Sequence, residues 1–374
     1  IIETPWGGVR EIANGLLREA APICEADGRV IEVLVPRAGM LPFSSPALRE
    51  VVLPRFGSNR ILWDHWTVPN YANKKKNAVL YNVKLVLPER LRIPGFVSMH
   101  DLMYFPQPQK YNWREYLWTD SMYMRLMLRR TARRAQLVHT ISRYTADDAS
   151  DIFHGVPVSK FRPVPIAGDT QRFAPREWNE EDRAIWRELE EKGVRRPYIF
   201  HCGGLSRRKN LGVLAIAFRH FLRRHPDYQL VFTGGAKPTV PDPKLDGALR
   251  RLPSDSVVRV GKVEPRALAL LYQNAGMFVF PSLYEGFGIP PLEAQAAGCP
   301  VICAGATSLP EVAGTSALKA DPRSPRQLLD AMHRVTADSS LREELIAAGH
   351  ENVRRFTWEK TTRAWLRLAD EAAR

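Results

Sequence analysis

Apolar residues in this chain gather into short runs, separated by amphipathic stretches and by clusters of glycine and proline. In the first half, VIEVLVP (30–36), NAVLYN (77–82), GFVSMH (95–100) and QLVHTIS (136–142) are predicted as strands. Between them, 9–20, 113–135 and 142–153 carry helical spacing, the last opened by a capping Ser142. The second half repeats the alternation more strongly. YIFHCGG (198–204), YQLVFTGG (228–235), SVVRVGKV (256–263), MFVFPS (277–282) and CPVICAG (299–305) read as strands. Helices are predicted over 208–225, 265–275, 291–298, 324–338 and 340–356, with one more in the tail. Strand–helix alternation of this kind gives parallel sheets covered on both faces.

The 374 residues suit two domains rather than one. KFRPVPIAGDTQRFAP (160–175) breaks the alternation and is read as the junction. The apolar share of 45% excludes a disordered chain, and no apolar run is long enough for a membrane span. No secretory signal is visible, and a first residue other than methionine leaves the natural start open. Cys24, Cys202, Cys299 and Cys303 form no CxxC pair, which points to buried thiols in a reducing, cytoplasmic setting. The net charge of +14 favours anionic partners, although an arginine-rich composition alone also produces it. Zinc-finger, helix-turn-helix and RNA-binding patterns are missing, so nucleic acid is not the expected partner.

Candidate chemistry concentrates in LYEGFGIPPLEA, between a buried strand and a helix. Gly286 and Gly288 permit close backbone approach, and Pro290 and Pro291 suit a helix start. Amides of Phe287, Gly288, Ile289 and Leu292 are available for an anion at that helix N-terminus. Glu285 and Glu293 flank the same turn, and carboxylates accept from hydroxyl groups. A ligand that is part phosphate and part polyol satisfies both sets, and a nucleotide-sugar is one. Solvated helix-start residues are the alternative reading of the two glutamates.

EGFGIPPLEA followed by AAGCPVI resembles the E-x7-E signature of family 4 retaining glycosyltransferases of the GT-B fold. That resemblance implies two Rossmann-like domains facing a cleft: an acceptor-side domain over 1–163, a donor-binding domain over 164–355, and a helix over 356–374 crossing back to the first. It implies that Glu285 holds the donor sugar and Glu293 the ribose. HCGGLSRRKNL adds Gly203, Gly204 and the Arg208-Lys209 pair for the diphosphate, with Gly204 where some members carry an arginine. His100 matches a histidine near the reacting end of the sugar. Gly7 and Gly8 match a glycine-rich loop, and Val263 lies where the base is met through the main chain.

No D-x-D motif occurs, so fixed cations in place of a metal are expected to take up the leaving diphosphate, with no cofactor. Forms such as RKN and EGFGIPPLE look like bacterial mannosyltransferases of surface-polysaccharide assembly, which makes GDP-mannose the leading donor. UDP- or dTDP-sugars, or an inactive GT-B binding module, are the alternatives. Arg125, Arg129, Arg130, Arg133 and Arg134 on one helix, with Lys74, Lys75 and Lys76 in a loop, suggest an anionic membrane surface and a glycan or lipid-linked glycan acceptor. A solvated basic face accounts for them as well.

Overall fold

The computed structural model describes residues 8–54, 56, 59–105, 118–235 and 242–374. The chain divides into two units. One comprises Ile1–Leu102, Thr119–Ala167 and Phe356–Arg374, the other Met103–Trp118 and Gly168–Arg355. Twelve strands run along the described chain: β1 (Ile31–Val35), β2 (Leu48–Val52), β3 (Leu80–Asn82), β4 (Gly95–Met99), β5 (Val138–Thr140), β6 (Phe161–Pro163), β7 (Tyr198–Cys202), β8 (Gln229–Thr233), β9 (Val257–Gly261), β10 (Met277–Phe280), β11 (Val301–Ala304) and β12 (Leu318–Ala320).

The N-terminal unit holds a parallel sheet in the order β3-β4-β5-β6 and a separate parallel pair, β1-β2. β6 lies inside the stretch read as a junction, and its proline explains why it was not expected. Proline cannot donate to a ladder, and β6 has the sheet edge, where that loss is tolerated. Phe161 is nevertheless buried and pairs with Val138. The second segment of this unit ends at Ala167, a few residues beyond the expected boundary.

The tail helix (Trp358–Ala373) belongs to this unit and packs on the first helix (Gly8–Ala26). Gly15 makes the contact: a β-carbon there would stand 2.3 Å from the indole of Trp358. Farther along the tail, Thr361 donates to the Pro165 carbonyl at 2.8 Å, and Trp365 meets Tyr81 edge-on at 5.0 Å. Inside the sheet, His139 is fully buried. Its Nε2–H donates to the Val164 carbonyl at 2.8 Å, and Nδ1 accepts from Ser98 at 2.6 Å. Burial holds its pKa down at about 4, so the ring is a neutral core group.

The C-terminal unit is a six-stranded parallel sheet in the order β9-β8-β7-β10-β11-β12. Alternation along its strands explains the two-sided burial. Tyr198, Phe200, Phe278, Phe280, Val301 and Cys303 join one apolar cluster, while Ile199, Met277, Val279 and Ile302 join another on the opposite face. Helices cover both faces, so strand sequences are almost wholly apolar. Each large side chain buried there contributes roughly 1.5–3 kcal/mol. Numbered within the unit, the order is 3-2-1-4-5-6, a Rossmann-type winding that reverses between β7 and β10.

Replacing Gly15 with alanine forces the Trp358 indole aside. The expected cost is about 1–3 kcal/mol, with faster hydrogen exchange along 358–373 and unchanged exchange in 198–304. Uniform protection in the variant would refute the contact.

Candidate active site

Ligands of doubly wound sheets bind outside the carboxyl ends of the strands, at the point where strand order reverses. In the C-terminal unit that point lies between β7 and β10, so the loops after these two strands are neighbours. The first begins Gly203-Gly204, and the second runs through Tyr284 and Glu285 to Gly288. Gly203, Gly234 and Gly261 end or follow β7, β8 and β9 with φ of +136°, +119° and +74°. A β-carbon on Gly234 would lie 2.4 Å from the Gly203 carbonyl oxygen, so these two loops meet backbone to backbone.

Arg208 and Lys209 follow in a short 3-10 turn (Arg207–Lys209), closed by Asn210 at φ +58°. The Asn210 amide donates to the Pro281 carbonyl at 3.0 Å, and the Leu283 N–H donates to the Arg208 carbonyl at 2.8 Å. These bonds tie the two loops together. They also aim the pair of cations at one carboxylate. Arg208 Nη1 stands 2.7 Å from Glu285 Oε2, and Lys209 Nζ stands 2.7 Å from Oε1. Lys209 is 8% exposed, and its ammonium lies 4.5 Å from the centre of the Phe280 ring. Burial alone would raise the Glu285 pKa, but the charges of Arg208 and Lys209 outweigh it and bring the group down to about 2. Burial lowers the Lys209 pKa, and Glu285 opposes that shift. The three groups therefore form a charged, desolvated cluster that is stable only as a set.

The turn from Glu285 to Gly288 is held from behind. Glu285 N–H donates to Thr307 Oγ1 at 3.2 Å. The buried Ser308 hydroxyl lies 2.9 Å from the Glu285 carbonyl and 2.7 Å from that of Phe287, sharing its one proton between them. Thr307 itself has φ +58°, a costly conformation for a β-branched residue. Gly288 caps the helix Ile289–Ala296 at φ +109°, and a β-carbon there would stand 2.5 Å from Leu309 Cδ2. Both its conformation and its surroundings demand glycine. The helix start at Ile289 places Leu292 one turn in, where an amide bonds within the helix. Leu292 is fully buried, and the anion-facing donors of this turn reduce to those ahead of the two prolines.

Glu293 lies on the same helix, and its Oε2 accepts from Tyr272 Oη at 3.0 Å. Cys202, half-buried at the end of β7, lies close to both. Its thiol is pushed up to about 11, first by burial and then by the Glu293 charge, so it stays protonated. Val263 follows β9 and is half-buried against the core, in the loop that leads into the helix Pro265–Gln273.

His100 belongs to the N-terminal unit, directly after β4. Its Nε2 lies 2.6 Å from the Val83 carbonyl, which fixes the proton there and leaves Nδ1 as a buried acceptor without a partner among the described residues. Burial lowers its pKa, against the pull of the Val83 carbonyl and Asp101. Gly8 opens the first helix, and Gly7 lies outside the described residues.

The structure thus brings together Gly203, Gly204, Arg208, Lys209, Glu285–Ile289 and Glu293 in one unit. Tyr272, Thr307, Ser308 and Asn210 were missed by sequence reasoning. Tyr272 sits in an apolar helical run and reads as core, while Thr307 and Ser308 come from a loop more than twenty residues away in sequence.

Comparison with known proteins adds the family. Residues 182–352 match the Glycosyl transferases group 1 family. The chain carries a group 1 glycosyltransferase domain. It is 29% identical over 303 residues to the O-antigen chain mannosyltransferase B of Escherichia coli, an alignment covering 79% of this chain and 74% of that protein. It is 30% identical over 238 residues to a D-inositol 3-phosphate glycosyltransferase of Corynebacterium jeikeium, covering 61% of this chain and 56% of the other. Among solved structures, Anabaena Alr3699/HepE in complex with UDP and glucose superposes with a TM-score of 0.72 at 15% identity, covering 97% of this glycosyltransferase and 96% of HepE. That likeness establishes the GT-B fold.

A depressed carboxylate stabilises the fold above its unfolded pKa, near 4.5 for Glu285, and loses that contribution as pH falls towards about 2. In Glu285→Gln the two cations keep their burial and lose their counter-charge. Urea titrations of this variant should show a loss of about 3 kcal/mol at pH 7 and a flatter decline between pH 4.5 and 2. Inorganic pyrophosphate should raise its melting temperature more than that of the wild type. Equal shifts in the two proteins would mean that the cations do not face a diphosphate.

Proposed function

We propose that this glycosyltransferase is a retaining, metal-independent hexosyltransferase that moves mannose from GDP-mannose to a glycan or lipid-linked glycan in surface-polysaccharide synthesis. The observation that carries it is the contact of Arg208 and Lys209 with the Glu285 carboxylate at 2.7 Å each. Two fixed cations beside a helix start match a leaving diphosphate, and a carboxylate between them matches sugar hydroxyls. The mannosyl and polysaccharide assignment draws on the E. coli relative, whose name gives it that activity.

On binding, the diphosphate takes Arg208 bidentately and Lys209 as a point charge. Glu285, released from full pairing, accepts from the sugar. Glu293 holds the ribose hydroxyls, Gly203, Gly204 and the turn at Gly286–Ile289 receive phosphate oxygens, and the main chain at Val263 meets the base. The anomeric C–O bond breaks with its electron pair leaving on the diphosphate. The acceptor oxygen bonds to the same face of the anomeric carbon, and its proton passes to the departing phosphate oxygen. His100 is assigned a contact with the donor sugar by the family resemblance, and its own substitution tests that.

The acceptor side of the proposal rests on the helix Trp118–Arg134 of the N-terminal unit. Met122, Leu126, Arg129, Arg130 and Arg133 share its exposed face. His65 lies 3.0 Å from Tyr123 and sets this helix beside the turn that exposes Trp66. An apolar strip with arginines behind it suits the headgroup region of an anionic membrane. Of the cations expected there, Arg130 lies 3.6 Å from Glu89. Arg134 is turned onto Glu89 and the carbonyls of Pro88 and Leu91, and Lys75 onto Glu32 at 2.7 Å. No helix among the described residues is long and apolar enough to cross a membrane.

Release of nucleoside diphosphate from a panel of GDP-, UDP- and dTDP-sugars should be greatest with GDP-mannose and survive EDTA. Lys209→Met and Glu285→Ala should each lower kcat/KM by at least a hundredfold, and His100→Ala should lower kcat. Dependence on added Mn2+, or an inverted anomer in the product, would overturn the mechanism; preference for another sugar would overturn the donor. The membrane part stands or falls separately. Sedimentation with vesicles containing anionic lipid should fall when Met122 and Leu126 are both changed to serine, and an unaffected variant would remove it.

A further inference from the structure

The hydroxyl of Tyr272 is the one polar atom of a side chain that is otherwise core. The residue is fully buried, and its ring meets Phe200 at 5.0 Å and 84°, Phe278 at 5.2 Å and 66°, and Phe173 at 5.6 Å and 85°. Edge-to-face contacts on three sides fix the ring independently of any ligand. Phenylalanine would fill the same space, so packing does not explain the hydroxyl. Tyr198, equally buried on the same face of the sheet, spends its hydroxyl on the Leu271 carbonyl at 2.7 Å, which is a structural use. Tyr272 instead donates to Glu293 Oε2 at 3.0 Å. Burial, with Glu293 beside it, raises its pKa well above that of a free phenol, so it donates at every working pH.

We infer that Tyr272 is a positioning residue, whose hydroxyl locks the Glu293 carboxylate for a vicinal diol and makes this site select ribonucleoside over 2′-deoxyribonucleoside diphosphates. The inference rests on the reading of Glu293 as the ribose ligand. A carboxylate accepts from two adjacent hydroxyls only when its plane is fixed. A free glutamate on a helix start samples several rotamers, whereas one bonded to a rigid phenol keeps one. A 2′-deoxyribose brings a single hydroxyl and leaves the carboxylate one donor short. Sites built around a ligand hydroxyl reject analogues that lack it far more strongly than apolar pockets reject extra groups. dTDP-sugars would accordingly be poor donors here, whatever base the site prefers. The half-buried Cys202 thiol beside the pair adds no competing charge, since it remains protonated.

Calorimetric titration of the full chain with GDP and 2′-deoxy-GDP, and with UDP and 2′-deoxy-UDP, tests this. Wild-type protein should hold the better ribonucleotide about tenfold or more tighter than its deoxy counterpart. Tyr272→Phe should keep its melting temperature within a few degrees and shrink that preference to about threefold or less, mainly by weakening the ribonucleotide. Glu293→Gln should abolish it. A wild-type protein that binds neither ribonucleotide removes the donor-site reading and the inference together. So does a Glu293→Gln variant that keeps the full preference. Loss of preference in Glu293→Gln with full preference in Tyr272→Phe overturns the positioning role alone. Equal weakening of ribo and deoxy ligands in Tyr272→Phe would show a merely structural tyrosine and overturn it as well.

Discussion

One buried carboxylate between two cations ties together the loops at the switch point of the C-terminal unit. Glu285 comes from the loop after β10, while Arg208 and Lys209 come from the turn after β7. None of the three is well placed alone. An isolated charge at this depth carries a desolvation cost of several kcal/mol, and only mutual pairing offsets it. The Lys209 ammonium lies over the Phe280 ring, so it reaches the carboxylate from the apolar side. The cluster thus links the two strands at which the winding reverses, and it does so where a ligand belongs. On the proposed reading, a diphosphate entering this site would meet cations already stripped of water and compete for them with a single side chain, and a ligand lacking either the phosphates or the hydroxyls would leave one half of the cluster unsatisfied.

The core beneath explains why such a cluster can be tolerated. Both faces of the six-stranded sheet are covered, and residues of its central strands alternate largely between the two apolar clusters. The aromatic side of that core, from Phe173 through Tyr272 to Phe200 and Phe278, extends up to Glu293. On the ribose reading of Glu293, packing and ligand recognition would meet in Tyr272. The N-terminal unit, with shorter strands and a four-stranded sheet, depends more on polar ties such as Ser98 to His139 and on the tail helix seated on Gly15.

The strands of the C-terminal unit were legible because two-sided burial leaves continuous apolar runs, and β7 to β11 lie inside the stretches read from the sequence. β2, β6 and β12 were not, since LREVV, FRP and LKA mix charge or proline into very short segments whose pairing is set by the partner strand. At the site, residue types and spacing named Arg208, Lys209, Glu285 and Glu293. What they could not name was the partnership. Sequence reasoning sent the cations to phosphate and the carboxylate to sugar, whereas the three bond to one another across a separation of 76 residues. Tyr272 was invisible for the opposite reason: in PRALALLYQNA its helical position matches a buried face, and only the fold shows which carboxylate its hydroxyl meets. The basic helix was half legible, because charge can be counted along a chain but Arg134 and Lys75 are diverted by Glu89 and Glu32.

The backbone around Glu285 is fixed to a degree that assigns the motion of the site to side chains. Ser308 bridges two carbonyls of the turn, Thr307 accepts its first amide from a left-handed conformation, and Leu309 closes on Gly288. A threonine in that conformation is unfavourable by about 1–3 kcal/mol, and the bonds it completes keep it there. The entropy of ordering the loop is therefore met during folding rather than at binding. On the proposed reading, what would remain to change when a donor arrives is the direction of an arginine, a lysine and a glutamate, each of which can rotate without disturbing the strands that carry it. Such a site is preorganised in its main chain and adjustable in its charges. On the proposed mechanism, that combination would let the same cations stabilise the resting carboxylate and, during the reaction, the negative charge that develops on the leaving group.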